Sequence, residues 1–283
     1  MKPRSFFVLS AIFLYAAVVS CTPVLDHLVL FPWTGRIPSG NATRRTVPFE
    51  GGELEVWTAE SPAARAGRPK TYVLRFYGNA DRADRWVADE AEMFGDRALE
   101  FWGMNYPGFG GSTGPARLAR IGPGALAAFD ELRREAGERP IVLFGASLGT
   151  TAALHVAAKR PVAGLVLQNP PALRQMILRQ FGWWNLWLLA GPLSLKVPAE
   201  LDSINNAKAS HARAIFLLAE KDEVVAPRFQ QLVANSYAGE KRVISLRGAN
   251  HNSPIDPEGW RTFQEALNWL TPGISSDDLP RAR

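Results

Sequence analysis

The sequence predicts an α/β protein: a mostly parallel central sheet, opened by an antiparallel N-terminal hairpin, with helices on both faces and a cap segment near its middle. Three observations predict it. Short runs rich in Val, Ile, Leu and Phe recur at residues 70–76, 99–106, 141–144, 162–168, 214–219 and 242–246, and unbroken apolar runs of that length suit strands buried on both faces. Amphipathic helical patterns fall between several of them, at 84–96, 124–136 and 151–159, with another closing the fold at 257–270; strand and helix in alternation imply crossover connections and a parallel sheet. The 283 residues, about 260 of them after any leader is removed, suit one domain of this kind.

Residues 24–43, with Pro32, Pro38 and Gly40, read as a tether ahead of the fold. Alternating residues at 44–50 and 54–58, joined through Gly51-Gly52, read as the antiparallel hairpin. The run 99–106 empties into Pro107-Gly108-Phe109-Gly110-Gly111-Ser112-Thr113-Gly114. That loop lacks the lysine of a phosphate-binding loop and the glycine spacing of a dinucleotide site, so it reads as a wall of a binding mouth, with Phe109 a candidate pocket residue. The final helix has Pro257 near its start and Trp260, Phe263, Leu267 and Leu270 on one face. Residues 271–283 are polar and read as a disordered tail. The domain therefore spans 44–270, with no internal repeat.

Residues 170–208 interrupt the strand-helix alternation and form the cap. Their stretch 176–189 is apolar nearly all round and holds Trp183, Trp184 and Trp187. Such a helix is buried, or faces lipid or an acyl chain. One reading makes these tryptophans the cover of a hydrophobic acyl pocket that also dips into a membrane interface; the other makes them a cap packed on the sheet.

The chemistry is concentrated where three of the apolar runs end. Residues 141–144 pass directly into Gly145-Ala146-Ser147-Leu148-Gly149 and then into a helical pattern. G-x-S-x-G between a strand and a helix lifts a serine hydroxyl clear of the chain on a tight turn, where a base can reach its proton. Ser147 is thus the candidate nucleophile. Asp222 stands three residues beyond the run 214–219, with Glu220 and Glu223 as neighbours able to hold the same role. His251 follows the run 242–246 and is the candidate base among the chain's four histidines; His27, His155 and His211 read as structural. The order Ser, Asp, His along the chain suits a nucleophile, an acid that fixes the tautomer, and a base. Developing charge on a carbonyl oxygen needs fixed donors, and the backbone N–H groups of Asn79, after Tyr77-Gly78, and of Leu148 are the candidates.

These motifs together resemble the α/β-hydrolase fold family: Tyr77 to Ala80, Tyr106 to Gly114, Gly145 to Gly149, Asp222 after its strand, and Asn250-His251-Asn252. The resemblance covers about residues 44–270 and is nearest to the serine-aminopeptidase-like and monoacylglycerol-lipase-like branch, which includes Bem46 proteins and α/β-hydrolase-domain depalmitoylases. It implies an esterase, thioesterase, lipase or peptidase without choosing among them. The preferred reading is a serine hydrolase of carboxylic esters or thioesters acting through an acyl-enzyme, and the absence of dense His, Cys and carboxylate ligand spacings implies no cofactor or metal. A serine peptidase of the aminopeptidase type is an alternative, although the sequence shows no acidic cluster placed to receive a free amine, and only Glu200 and Asp202 in the cap are candidates. A non-catalytic, lipid-anchored binding protein on the same fold is a third. The branch usually carries His before the oxyanion glycine, and this chain has Tyr77 there, which bears on how that loop is supported.

The amino end carries a separate signal. Lys2 and Arg4 precede an apolar run at 6–19, which ends in Val18-Val19-Ser20-Cys21. Residues 1–20 read as a lipoprotein-type signal peptide, and the motif resembles a bacterial lipobox in which Cys21 is lipidated; a signal-anchor helix or secretion is the alternative. Cys21 is the single cysteine, which excludes an intramolecular disulfide. The expected partners are a small-molecule or lipid ester and, through the anchor, a membrane surface of the bacterial envelope, with Thr22 after the cysteine favouring the outer membrane. The formal net charge of +5 comes without a basic run interleaved with aromatics, so nucleic acid is not an expected partner.

Overall fold

The computed structural model describes residues 22–35, 37–182, 188 and 190–271. After a short helix α1 (Thr22–Val29), the hairpin β1 (Thr43–Phe49) and β2 (Gly52–Glu60) is joined by Glu50 and Gly51, both at positive φ (44° and 75°). Two such residues make the turn whose twist matches an antiparallel pair, and Phe49 faces Gly52 across it. There follow α2 (Pro62–Ala66), β3 (Thr71–Phe76), α3 (Ala83–Met93), β4 (Leu99–Met104), α4 (Leu118–Ala136), β5 (Ile141–Ala146), α5 (Leu148–Ala157) and β6 (Gly164–Gln168). The cap holds α6 (Leu173–Gly182), α7 (Ala190–Leu195), a 3-10 turn Ala199–Leu201 and α8 (Ser203–Ala209). The chain then completes the sheet with β7 (Ala214–Ala219), α9 (Pro227–Ser236), β8 (Lys241–Leu246) and α10 (Pro257–Leu270).

The eight strands are ordered β1-β2-β4-β3-β5-β6-β7-β8. Pairs β1·β2 and β2·β4 are antiparallel, and the rest are parallel. Period-two alternation sends side chains to two cores. Leu74, Phe76, Trp102, Leu143 and Phe216 pack on one face with α1, α4, α5, α8 and α9. Val73, Phe101, Val142, Phe144 and Ile215 pack on the other with α3 and α10. Burial on both faces is why β3, β4 and β7 read as continuous apolar runs.

Two stretches differ from the sequence reading. Helix α4 begins at Leu118, six residues before the expected start, and carries Pro123 inside it. The proline removes one helical hydrogen bond, while Leu118, Ile121 and Ala125 of the same turns are buried in the larger core; that burial holds the first turns in place. The tether reading of 24–43 also gives way over its first part. Leu25 and Leu30 are buried in the larger core, and the buried Asp26 accepts a hydrogen bond from the Leu118 N–H at 2.9 Å. Pro32, Pro38 and Gly40 signal irregular backbone, and irregular backbone can still be packed.

The glycine loop is closed against the hairpin by one carboxylate. Buried Glu55 accepts from Arg44 Nε (2.8 Å), Asn105 Nδ2 (2.7 Å) and the Gly111 N–H (2.7 Å). Burial alone would raise its pKa, but these hydrogen bonds outweigh it and hold the carboxyl below the ordinary Glu value. A lowered folded-state pKa contributes stability above the ordinary value of 4.5, and that contribution is lost as pH falls from there towards the folded value. Glu55→Gln is expected to cost about 2 kcal/mol at pH 7. In urea titrations the gap to the parent protein should close below pH 4.5; a gap that stays constant with pH would show that the charge is not what matters.

Candidate active site

The site is built where β3, β5, β7 and β8 end at one edge of the sheet. Ser147 sits between β5 and α5 at φ 49°, ψ −122°, a conformation that L residues rarely adopt. Its N–H donates to the Gln168 carbonyl at 2.8 Å, and its own carbonyl accepts from Thr150 N–H (2.9 Å) and Oγ1 (2.7 Å). The glycines are steric requirements. A Cβ on Gly149 would lie 2.1 Å from the Phe76 carbonyl oxygen and 2.7 Å from that of Tyr77, and one on Gly145 would lie 2.6 Å from the Gly149 carbonyl oxygen. These neighbours are backbone and yield only by moving strands, so Gly149→Ala is expected to destabilise the fold by about 3 kcal/mol. An unchanged urea midpoint would contradict this tight seat.

Three side chains form a row from this turn. His251 Nε2 lies 3.0 Å from Ser147 Oγ, and His251 Nδ1 lies 2.7 Å from Asp222 Oδ2. The Asp222 side chain is fully buried. Its Oδ1 accepts from the N–H groups of Val224 (2.9 Å) and Val225 (2.7 Å), and its Oδ2 also accepts from Gln230 Nε2 (2.9 Å). An acceptor at Oδ2 assigns the ring proton to Nδ1, leaving the Nε2 lone pair directed at the serine hydroxyl. Glu220, by contrast, faces outward and accepts from Ser245 Oγ and the Gly248 N–H, and Glu223 is exposed. His27 and His211 are exposed, whereas His155 is buried and its pKa is pushed down by burial.

Gly78 and Asn79 lie against the elbow. A Cβ on Gly78 would sit 3.5 Å from Ser147 Cβ. Tyr77, in the position where the resembling branch carries His, is fixed from three sides. Its hydroxyl donates to Glu90 Oε2 (2.9 Å), the Arg75 guanidinium lies 4.6 Å from its ring centroid, and its carbonyl accepts from the Tyr106 hydroxyl (2.7 Å). Burial above all raises the pKa of both phenols, so they remain donors. Backbone N–H groups do not depend on the side chain at position 77, and these contacts brace Tyr77 within the loop.

A cleft of about 640 Å³ opens over Ser147, lined by Gly78, Asn79, Arg85, Trp86, Val224 and His251 among others. Phe109 does not line it. It is buried in the core, edge-to-face on Tyr106 at 5.7 Å, because Gly108 (φ 82°) and Gly110 (φ 55°) turn the loop so that the ring points inward. Glu200 and Asp202 are also absent from the lining. Asp202 pairs with Arg174 at 2.6 Å and caps α8 through the Asn205 N–H, and Glu200 packs beside Gly122. Trp183, Trp184, Trp187 and Cys21 lie outside the described residues. Among the described residues no group of three His, Cys, Asp or Glu is placed to hold a metal ion, and no helix is long and apolar enough to cross a membrane.

Sequence reading missed two buried amides that hold the row. Gln230 links Asp222 to β7 by accepting from the Ala219 N–H at 3.1 Å and donating to the Val225 carbonyl at 2.7 Å. Asn169, directly after β6 at φ 50°, accepts from the Ala219 N–H (3.1 Å) and donates to the His251 carbonyl (3.2 Å). The position of Asn169 at the end of an apolar run, like the other site residues, was the one available signal.

Comparison with known proteins agrees with this architecture. The family model for the alpha/beta hydrolase fold matches residues 73–269. An uncharacterized protein of Mycobacterium tuberculosis is 28% identical over 255 residues, covering 87% of this chain and 86% of its own. Among solved structures, an esterase of Pyrococcus furiosus matches with a TM-score of 0.63 and 16% identity, over 87% of this chain and 98% of its own. Est1E of Butyrivibrio proteoclasticus, with ferulic acid bound, matches with a TM-score of 0.64 and 14% identity, over 79% of this chain and 98% of its own. The chain belongs to the alpha/beta hydrolase fold family.

Proposed function

We propose that this protein is a serine hydrolase of carboxylic esters or thioesters with a hydrophobic acyl group, of the serine-aminopeptidase-like and monoacylglycerol-lipase-like branch. The observation that carries the reading is the hydrogen-bonded row Ser147, His251, Asp222. Ser147 Oγ attacks the substrate carbonyl as His251 Nε2 takes its proton, and the carbonyl electron pair moves onto oxygen. The N–H groups of Asn79 and Leu148 receive that oxyanion. Collapse expels the alcohol or thiol, which leaves with the proton held by His251, and the acyl group stays on Ser147. A water then loses a proton to His251 and attacks the acyl carbon. The acid departs, and Ser147 recovers the proton from His251. Asp222 holds the ring orientation and stabilises the imidazolium in both halves. The family and its esterase neighbours support hydrolysis; the apolar cap sequence supports a hydrophobic acyl group.

The amino-terminal sequence supports attachment to a bacterial envelope membrane through lipidated Cys21. Among the described residues the one acid lining the cleft is Asp81, whose Oδ1 already accepts from Trp86 Nε1 and the Arg82 N–H. Esters are therefore favoured over aminoacyl amides. Hydrolysis of p-nitrophenyl esters and acyl thioesters of graded chain length, set against aminoacyl anilides, tests the reading. Activity should favour medium or long acyl esters over anilides by about a hundredfold or more in kcat/KM. Preference for the anilides, or no turnover of any ester, would overturn it.

A further inference from the structure

The segment that follows α1 lies across the loop beside Ser147. Asn79 Oδ1 accepts from the Phe31 N–H (3.0 Å) and the Ala80 N–H (3.1 Å), and Asn79 Nδ2 donates to the Val29 carbonyl. The buried Arg82 guanidinium donates to the carbonyls of Trp33 and Gly35, and the Gly110 N–H donates to the Trp33 carbonyl at 3.0 Å. The backbone of residues 29–35 is thereby held against the cleft rim.

Its outward side is apolar. Leu28 is 55% exposed, Phe31 58%, Trp33 44%, and Trp86, across the loop 79–82 on α3, 37%. Large apolar side chains gathered beside a polar cleft mark a surface meant for contact. Trp86 is held by its indole N–H to Asp81 Oδ1 at 2.6 Å, and the exposed Arg85 guanidinium stacks on it at 4.7 Å. Among the described residues no carboxylate lies within ion-pairing distance of Arg85. Aromatic rings with an unneutralised guanidinium suit the headgroup zone of a bilayer carrying negative charge.

The sequence ahead of α1 argues for the same occupant. Residues 1–21, with Lys2, Arg4 and the apolar run 6–19, enter the fold at Thr22, the first residue of α1. That helix has eight residues and spans about 12 Å, so a membrane attachment at Cys21 puts this rim within about one helix length of the lipid. We propose that the face formed by Leu28, Phe31, Trp33, Trp86 and Arg85 seats on an anionic phospholipid bilayer, so that the Ser147 cleft opens onto the membrane surface. The consequence for substrate rests on the hydrolase reading above: the ester is one presented by the bilayer.

The test uses the full chain on vesicles of phosphatidylcholine and phosphatidylglycerol. In a Cys21→Ser background, an environment-sensitive fluorophore is placed at Phe31→Cys or Trp86→Cys, with Val243→Cys on the edge strand β8 as the distant reference. Fluorescence at 31 and 86 should shift to the blue and be quenched by brominated lipid, while position 243 stays unchanged. Responses at 31 and 86 that match 243 would overturn the proposal. Leu28→Glu should lower hydrolysis of a vesicle-embedded ester about tenfold while leaving a soluble short-chain ester within about twofold. Equal loss on both esters, or no loss on either, would also count against it. If no ester is cut and a fluorophosphonate fails to label, the hydrolase reading falls, whereas the fluorescence result still decides the docking.

Discussion

Ser147→Ala should lower kcat by about 10⁵-fold or more while leaving the protein folded. The substitution removes the hydroxyl oxygen that faces His251 Nε2 and keeps the Cβ that the elbow already accommodates. Residual turnover would come from the oxyanion donors and substrate binding alone. The same position predicts a trade of stability for function. At φ 49°, ψ −122° a residue with a Cβ stores about 1–3 kcal/mol of strain, which glycine does not feel. Ser147→Gly should therefore be more stable than Ser147→Ala by about 1 kcal/mol, and equally inactive. Thermal denaturation and steady-state kinetics check both parts. Equal stability of the two variants would show that the elbow is unstrained.

Asp222→Asn should cost about 10⁴-fold in kcat. The reason lies in the acceptor count around the carboxylate. Oδ1 faces two donors, the Val224 and Val225 N–H groups, and Oδ2 faces two more, Gln230 Nε2 and His251 Nδ1. An asparagine that keeps its oxygen towards the Val224 and Val225 N–H groups turns its NH₂ onto Gln230 and His251. His251 must then accept at Nδ1 and carry its proton on Nε2, where it can no longer take one from Ser147. Flipping the amide instead sets its NH₂ against two backbone N–H donors in a buried site, which costs about 1–3 kcal/mol for each polar group left unsatisfied. No orientation restores the parent arrangement. A change in kcat of tenfold or less, with the variant folded, would remove Asp222 from the proposed mechanism.

Much of this was legible in the sequence because the chemistry sits at the ends of apolar strands. Runs such as 214–219 and 141–144 announce themselves by composition, and parallel strands buried on both faces bring their carboxyl ends to one edge. Ser147 and His251 could thus be proposed from motif and position, whereas position left Glu220 and Glu223 open beside Asp222. What escaped depends on contacts between distant residues. Nothing local to Gln230, in the middle of α9, indicates that it reaches Asp222, and nothing in 22–35 indicates docking on Asn79 and Arg82. Phe109 was misplaced for a related reason. A glycine-rich loop says that the chain turns, but the φ values of Gly108 and Gly110 decide which way the ring between them points. Pro123 weakened the helix signal for residues whose burial against the sheet holds them helical.

The central claim is that Ser147 is made reactive by His251. Treating the folded full-length protein with a fluorophosphonate and locating the adduct by mass spectrometry tests it most directly. The account predicts a single covalent adduct on the peptide containing Ser147, lost in Ser147→Ala and greatly slowed in His251→Ala. An adduct on another residue, or labelling of Ser147 at an undiminished rate without His251, would contradict it.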